Sequence, residues 1–488
     1  MLSRNLDLLQ RERMSTVDTA WLRMDSDGNL MMIVAVLMFD RPMDKARFRH
    51  TVGKRLLAYS RFRSRVVQDL TGAWWQEQEV DLDHHLAHTR LPSAKGAGNK
   101  AALERMVGDL SATALDFDKP LWQMHVVDNC IGEDGKVKQA VIVRIHHCIA
   151  DGIALVGVLL SMFDSVNDAP QADDGDEEVA VAEHEIEDNP WMQLLQPITK
   201  STINAINVST SVLTKYLRTL AESNKFLSRF ADMVHVTSQL TQDAIKLLAM
   251  LEDSKTRLKG KPKGTKHVAW SEPLQLAEIK AVGKALGSSI NDVLMASVAG
   301  AIGAYIRAKG DQICADTEMR AMVPVNLRKA GQQEKLGNAF GLAPLILPIG
   351  IEDPIARLHE VRRRMDELKG GYQAMVAMVV LGVLGATPRQ MQSEIQNYYA
   401  KKATAVMSNV PGPQAPLYLA GSQLEQIMFW VPQSGDIGVG VSILSYNGGV
   451  QFGIVTDDAI ADDPHEIINR FAPEFEKLVL LALMSEWG

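Results

Sequence analysis

The run Leu30 to Phe39 (LMMIVAVLMF) is apolar at every position, the pattern of a strand covered on both faces. After Pro42 the spacing changes: Phe48, Val52 and Leu56 recur four residues apart and predict an amphipathic helix. Trp74-Trp75-Gln76-Glu77 predicts a further strand, and Lys100 to Ala114 a helix with Leu103, Met106, Val107 and Leu110 on its apolar side. This strand-and-helix rhythm continues to about residue 160 and marks an α/β half.

The pattern then breaks. Between Asn167 and Asn189, Asp173, Asp174, Asp176, Glu177 and Glu178 crowd together with almost nothing to bury, which predicts a mobile surface linker. From Asn189 to about Asp253, Leu213, Leu217, Leu220, Leu227, Phe230 and Val234 form one stripe and predict a packed helical crossover. Lys255, Arg257, Lys259, Lys261, Lys263 and Lys266 follow, interrupted by Gly260, Pro262 and Gly264, which forbid a regular helix. That piece reads as a solvated connector or as a patch for anionic lipid or phosphate.

A second α/β half begins at His267. Leu274 to Leu286 predicts a helix, and a serine in Ser288-Ser289-Ile290-Asn291-Asp292 caps the next one, apolar through Val293, Leu294, Val298 and Ile302. Ala405 to Met407 reads as a short strand. Ile437 to Tyr446 and Val450 to Thr456 pair as a hairpin across Asn447-Gly448-Gly449. The expected division is therefore 1–166, a linker and crossover at 167–266, and 267–488, with the two halves facing each other across a cleft.

Composition narrows the class. A chain of 488 residues exceeds what one core serves, and 46% apolar with 23% charged residues is ordinary globular usage. The net charge of -8 argues against nucleic acid as the main partner. Cys130, Cys148 and Cys314 form no CxxC pair, which fits a reducing compartment and disfavours a cysteine-ligated metal. Charges scattered through Met1 to Arg13 leave no apolar core for a secretory signal. Ala374 to Ala386 (AMVAMVVLGVLGA) falls short of the ~18 to 20 residues that cross a bilayer and reads as a core helix; the alternatives are a greasy wall for a long-chain ligand and an interfacial helix.

The chemistry concentrates where Gln139 to Gly152 runs as a strand into His146-His147-Cys148-Ile149-Ala150-Asp151-Gly152. Neighbours on a strand point to opposite faces, so one histidine faces the cleft and the other packs; the pair does not share one metal. An imidazole in a cleft suits general base work, its ordinary pKa lying near neutrality. Asp151 reads as structural, pinning the turn through backbone amides or an arginine, with Gly152 serving the turn. No GxSxG elbow is present, and Cys148 turns away from His147, so a covalent triad is disfavoured. His84, His85 and His88 near Asp81 and Asp83 lack HExxH and read as a packed polar turn.

His146 to Gly152 fits HHxxxDG and resembles the signature of CoA-dependent acyltransferases such as chloramphenicol acetyltransferase and peptide-synthetase condensation domains. Other stretches narrow the likeness. These are Asp81-Leu82-Asp83-His84-His85, Pro120-Leu121-Trp122, Ser289-Ile290-Asn291-Asp292-Val293, Val323-Pro324-Val325-Asn326-Leu327-Arg328, Leu336-Gly337-Asn338 and Ser408-Asn409-Val410-Pro411-Gly412-Pro413. In that order, from about residue 15 to about 475, the chain resembles the bacterial wax ester synthase/diacylglycerol acyltransferase family. It departs where many members carry Met-His-x-Gly: here stand Asn29-Leu30-Met31-Met32-Ile33-Val34.

The resemblance implies a two-lobed CoA-dependent acyltransferase fold, each lobe a mixed sheet with flanking helices and an active-site tunnel between them. It implies His147, with His146 beside it, as the catalytic pair, His147 deprotonating the hydroxyl of a long-chain alcohol or diacylglycerol that then attacks acyl-CoA, with no covalent enzyme intermediate. Asn291 is a candidate donor to the developing oxyanion, and Met375, Met378 and Val379 are candidates to line an acyl tunnel. Acyl-CoA is then a co-substrate; no cofactor or metal is expected, and the expected place is cytoplasmic at a membrane or lipid-droplet surface. A carrier-protein donor, another acceptor, or a non-catalytic lipid-binding module are the rival readings.

Overall fold

The wholly apolar run is buried because it pairs on both sides: Met32–Phe39 lies between two antiparallel neighbours in the middle of a sheet. The computed structural model describes residues 11–69, 72–92, 98–132, 134–164, 252–327, 336–369, 377 and 401–485. The acidic stretch, the greater part of the helical crossover, and Met375, Met378 and Val379 lie outside the described residues.

The first half comprises β1 (Arg11–Arg13), α1 (Thr16–Arg23), β2 (Met32–Phe39), α2 (Lys45–Thr51), β3 (Ser64–Asp69), β4 (Gly72–Glu77), α3 (Leu82–His85), β5 (Leu86–Arg90), α4 (Lys100–Ser111), β6 (Trp122–Ile131), β7 (Val137–His146) and α5 (Gly152–Met162). The second comprises β8 (Lys266–Trp270), β9 (Leu274–Gln275), α6 (Leu276–Ala285), α7 (Ile290–Ala308), β10 (Met319–Asn326), β11 (Phe340–Leu347), α8 (Pro354–Lys369), β12 (Ala405–Pro411), β13 (Tyr418–Leu419), β14 (Ser422–Trp430), β15 (Val439–Tyr446), β16 (Gly449–Asp457) and α9 (His465–Ser485).

Two larger sheets result, with orders β13-β14-β2-β7-β6-β5 and β11-β10-β12-β15-β16-β8, the latter with β9 paired to β16; β1, β4 and β3 make a small third. Both large sheets are mixed: β5 runs parallel to β6, and β12 runs parallel to both β10 and β15, while the other pairings along the two orders are antiparallel. The hairpin expected at Asn447 forms with Tyr446 opposite Gly449. Its two turn residues, Asn447 (φ 46) and Gly448 (φ 78), are both left-handed, as a tight turn matched to strand twist requires. The capping box at α7 also forms: Ser289 Oγ accepts from Asp292 N, and Asp292 accepts from Ser289 N.

The halves are joined by chain exchange as well as by contact. β13 and β14 come from the second half of the sequence yet extend the first sheet, with Trp430 opposite Val34 and Leu424 opposite Phe39. Local pattern gives no sign of this, because sheet membership is a non-local choice. α4 lies against β8 so closely that a Cβ on Gly108 would sit 2.3 Å from the Lys266 carbonyl oxygen.

The basic piece after residue 255 is only partly a solvated connector. Lys255, Arg257, Lys261 and Lys263 are exposed, but Leu258 is in the core and Lys266 is buried. Lys266 Nζ donates to Asn29 Oδ1 at 2.6 Å and lies 3.5 Å from Asp457 Oδ2. Asn29 in turn donates to the carbonyls of Gly435 and Ile437 at 2.8 and 3.1 Å. Asn29, just ahead of the positions that lack the Met-His-x-Gly histidine and glycine, is thus a junction between the halves.

Removing one partner of a buried pair leaves the other charge uncompensated. Lys266→Ala is expected to lower unfolding free energy by about 3 kcal/mol, read as a drop in the urea midpoint. An unchanged midpoint would show that the backbone amides of Lys263, Gly264 and Ala459, which donate to Asp457, already satisfy it.

Candidate active site

β7 ends one residue earlier than the sequence pattern suggests. His146 is its last residue, and His147 opens a turn closed by Ile149 N donating to His146 O at 3.0 Å. The two histidines are separated by that turn rather than by strand alternation, and both are buried. His146 Nδ1 accepts from Cys148 N at 3.1 Å, which places its ring proton on Nε2, 3.7 Å from Asp25 Oδ1. Phe117 meets the same ring edge-on.

His147 is held at both ends of its peptide. Its N–H donates to Met31 O at 2.7 Å, and its carbonyl accepts from Asn338 Nδ2 at 2.8 Å. The imidazole stacks on Trp21 with centroids 4.2 Å apart and planes 16° from parallel, and Phe340 closes another side at 5.5 Å. Only 4% of the residue is exposed. Burial pushes its pKa down to about 4, opposed by the negative charge of Asp151, so the ring is neutral at pH 7 and able to accept a proton.

Asp151 takes the structural role expected of it, through amides. It caps α5, Oδ1 accepting from Ala154 N at 3.1 Å, while Oδ2 accepts from Ala339 N at 2.9 Å on the other half of the chain. Gly152 corrects its expectation. It is the first residue of α5, does not have a left-handed φ, and a Cβ there would meet no atom within 4 Å, so the turn does not require it.

Asn338 was visible in the sequence only as part of a motif, and it emerges as the joint of the site. Its N and Nδ2 both donate to Asp18 Oδ1, at 3.1 and 2.7 Å, in addition to the bond to His147 O. Asp18 is buried against Arg61 at 3.1 Å, and Arg61 donates to Ile149 O at 2.8 Å. Asp18 and Trp21 on α1 carry no sequence signal beyond helix amphipathicity.

Asn291 is buried in the first turn of α7, where Ser289 and Asp292 do the capping. Its Oδ1 accepts from Asn409 Nδ2 at 2.7 Å, joining two of the sequence motifs. Cys148 is buried and its thiol is pushed well up by that burial, so it is no nucleophile at neutral pH. His85 stacks on Trp122 at 4.3 Å, and its Nδ1 lies 2.7 Å from Trp122 O, in keeping with a packed polar turn.

Two lobes built on mixed sheets thus meet at a buried, neutral histidine. The wax ester synthase/diacylglycerol acyltransferase catalytic domain matches residues 14–294 and the WS/DGAT C-terminal domain residues 336–479. The chain belongs to the wax ester synthase/diacylglycerol acyltransferase family. A Mycobacterium tuberculosis protein named as a probable diacylglycerol O-acyltransferase is 24% identical over 96% of both chains. Among solved structures, a wax ester synthase/diacylglycerol acyltransferase from Marinobacter aquaeolei VT8 has a TM-score of 0.66 at 18% identity, over 96% of this chain and 100% of that one. The trichothecene 15-O-acetyltransferase TRI3 of Fusarium sporotrichioides has a TM-score of 0.58 at 13% identity, over 97% and 95%.

Acid stability follows from the buried rings. His85, His125 and His147 all have pKa values lowered to about 4 by burial, against about 6.5 in an unfolded chain. Between those values the unfolded state binds more protons, so stability rises with pH across that window and is lost as pH falls from 6.5 toward 4. The urea midpoint should therefore drop steadily over that range, and less steeply in His125→Phe; a flat profile would contradict neutral burial.

Proposed function

We propose that this acyltransferase moves a long-chain acyl group from acyl-CoA to the hydroxyl of a fatty alcohol or diacylglycerol, with His147 as general base. The observation that carries the reading is the neutral imidazole fixed by Met31, Asn338 and Trp21. The acceptor hydroxyl gives its proton to His147 as its oxygen bonds to the thioester carbonyl carbon, since an imidazole this weakly basic does not generate free alkoxide. The carbonyl π electrons move to oxygen; on collapse the C–S bond breaks, and the thiolate takes the proton back from His147. The negative charge of Asp151 favours the transient imidazolium through space.

The oxyanion needs donors, each worth roughly 3 kcal/mol in a dry site. Asn291 fits that need: Asn409 holds its carbonyl end, which leaves the amide end as a donor. His146 shapes the turn by accepting from Cys148 N and so aims His147. Burial favours esterification over thioester hydrolysis by keeping water from the reacting carbonyl. The names of the relatives, diacylglycerol O-acyltransferase and wax ester synthase/diacylglycerol acyltransferase, support both acceptor classes. No single helix among the described residues is long and apolar enough to cross a membrane; the lipid nature of both acceptor classes is what makes a membrane or droplet surface the proposed place of action.

Purified protein with palmitoyl-CoA and hexadecanol or dioleoylglycerol should release CoA thiol in step with ester. His147→Gln should lower kcat by about 10²-fold or more with the thermal midpoint little changed. Saturable lipid binding without thiol release would instead identify a binding module, and preference for acyl-carrier protein would replace the donor.

A further inference from the structure

Trp21 stacks on the reacting ring, and the proposed mechanism gives it no part beyond fixing that ring. It is buried, it stacks on His147 at 4.2 Å and 16°, and it meets Phe340 at 5.6 Å on stacked geometry. Its indole Nε1 is buried with no hydrogen-bond partner, so the ring is placed by its stacking contacts rather than by a polar anchor. Buried indoles usually satisfy that N–H. The indoles of Trp74, Trp75 and Trp430 likewise have no such partner, so what sets Trp21 apart is its face, laid parallel on the His147 imidazole.

The face of an indole attracts a cation, most strongly where water is excluded. His147 is neutral at rest and cationic only between proton uptake from the acceptor and proton return to the leaving thiolate. A ring parallel to the imidazole therefore interacts more strongly with the transition state than with the ground state, which is the condition for raising kcat. We propose that Trp21 is a positioning residue that holds His147 in plane and stabilises its transient imidazolium. This rests on His147 being the general base.

The charged and titratable groups around His147 come from several elements. Asp151 favours its protonation and His146 opposes it. Asp18 of α1 and Arg61 are paired with each other at 3.1 Å, Asp25 faces His146, and Cys148 is a buried neutral thiol. A change at Trp21 leaves these charges in place but also relieves the burial that lowers the His147 pKa, and admitted water raises it, so only a shift to lower pH reports the loss of the indole face.

The test compares Trp21→Phe and Trp21→Leu with the unaltered protein, measuring kcat and KM for thiol release against pH, with circular dichroism and thermal midpoint as fold controls. Trp21→Leu is expected to lower kcat by about ten- to thirtyfold, with KM for palmitoyl-CoA changing less than threefold. The acid limb of the kcat/KM profile should move to lower pH by about one unit, because a less stabilised imidazolium holds its proton less tightly. Trp21→Phe, a weaker cation acceptor, should fall between the two. A folded Trp21→Leu protein with unaltered kcat, or with reduced kcat and an unmoved acid limb, overturns the inference. Should Trp21→Leu not fold, Trp21→Phe decides: its acid limb moves if the inference holds and stays if the role is packing alone. His147→Gln is run alongside; full activity there overturns the general-base reading, whereas its loss together with an unmoved Trp21→Phe limb overturns only this one.

Discussion

The site depends on the side-chain amide of Asn338. One NH2 group reaches both the Asp18 carboxylate on α1 and the carbonyl of His147 at the end of β7, while the Asn338 backbone N–H gives Asp18 a second bond. Three segments distant in sequence are fixed against one another by four heavy atoms. The arrangement is possible because Asp18 is not an isolated buried charge: Arg61 lies 3.1 Å away and also donates to Ile149 O, inside the histidine turn. Gly337 makes the approach feasible. Its φ of 119° is closed to ordinary side chains, and a Cβ would press within 3.3 Å of the Arg61 guanidinium.

The same logic explains why two α/β halves behave as one scaffold. β14 crosses into the first sheet, Lys266 links Asn29 to Asp457, and Asp151 reaches from the cap of α5 to Ala339 N. Rigid-body opening of the lobes would break backbone ladder bonds and strip partners from buried charges together, each a costly event. The halves are thus tied by strand pairing and buried polar contacts at the level of the histidine turn.

Much of the fold was legible because it is local. The apolar run at β2, the stripe on α4, the capping box at α7 and the Asn447-Gly448 turn each follow from propensity and spacing within about ten residues. The motif likewise pointed to a structural role for Asp151 through backbone amides, which it takes at Ala154 and Ala339. What escaped is non-local. The strand was expected to carry His147, but the chain turns there because Met31 O and Asn338 Nδ2 capture its peptide, and neither partner can be found by spacing. Lys266 reads as one more cation in a connector until Asn29 and Asp457 arrive from either side. Trp21 drew no reading from spacing at all, and only the fold sets its face on the imidazole.

Burial so deep that an imidazole's pKa falls to about 4 looks like a poor choice for a base, since basicity is what the reaction draws on. The balance favours it for two reasons. A ring that is never protonated at rest is always available, whereas an exposed histidine near pH 6.5 is partly blocked at neutrality. In the proposed mechanism the lost basicity is recovered in the transition state by groups that favour the imidazolium: the Asp151 charge, through space, and the indole face at 4.2 Å. Asp151 contributes its charge from a position set by structural bonds, its oxygens receiving backbone amides from Ala154 at the start of α5 and from Ala339 on the other half of the chain.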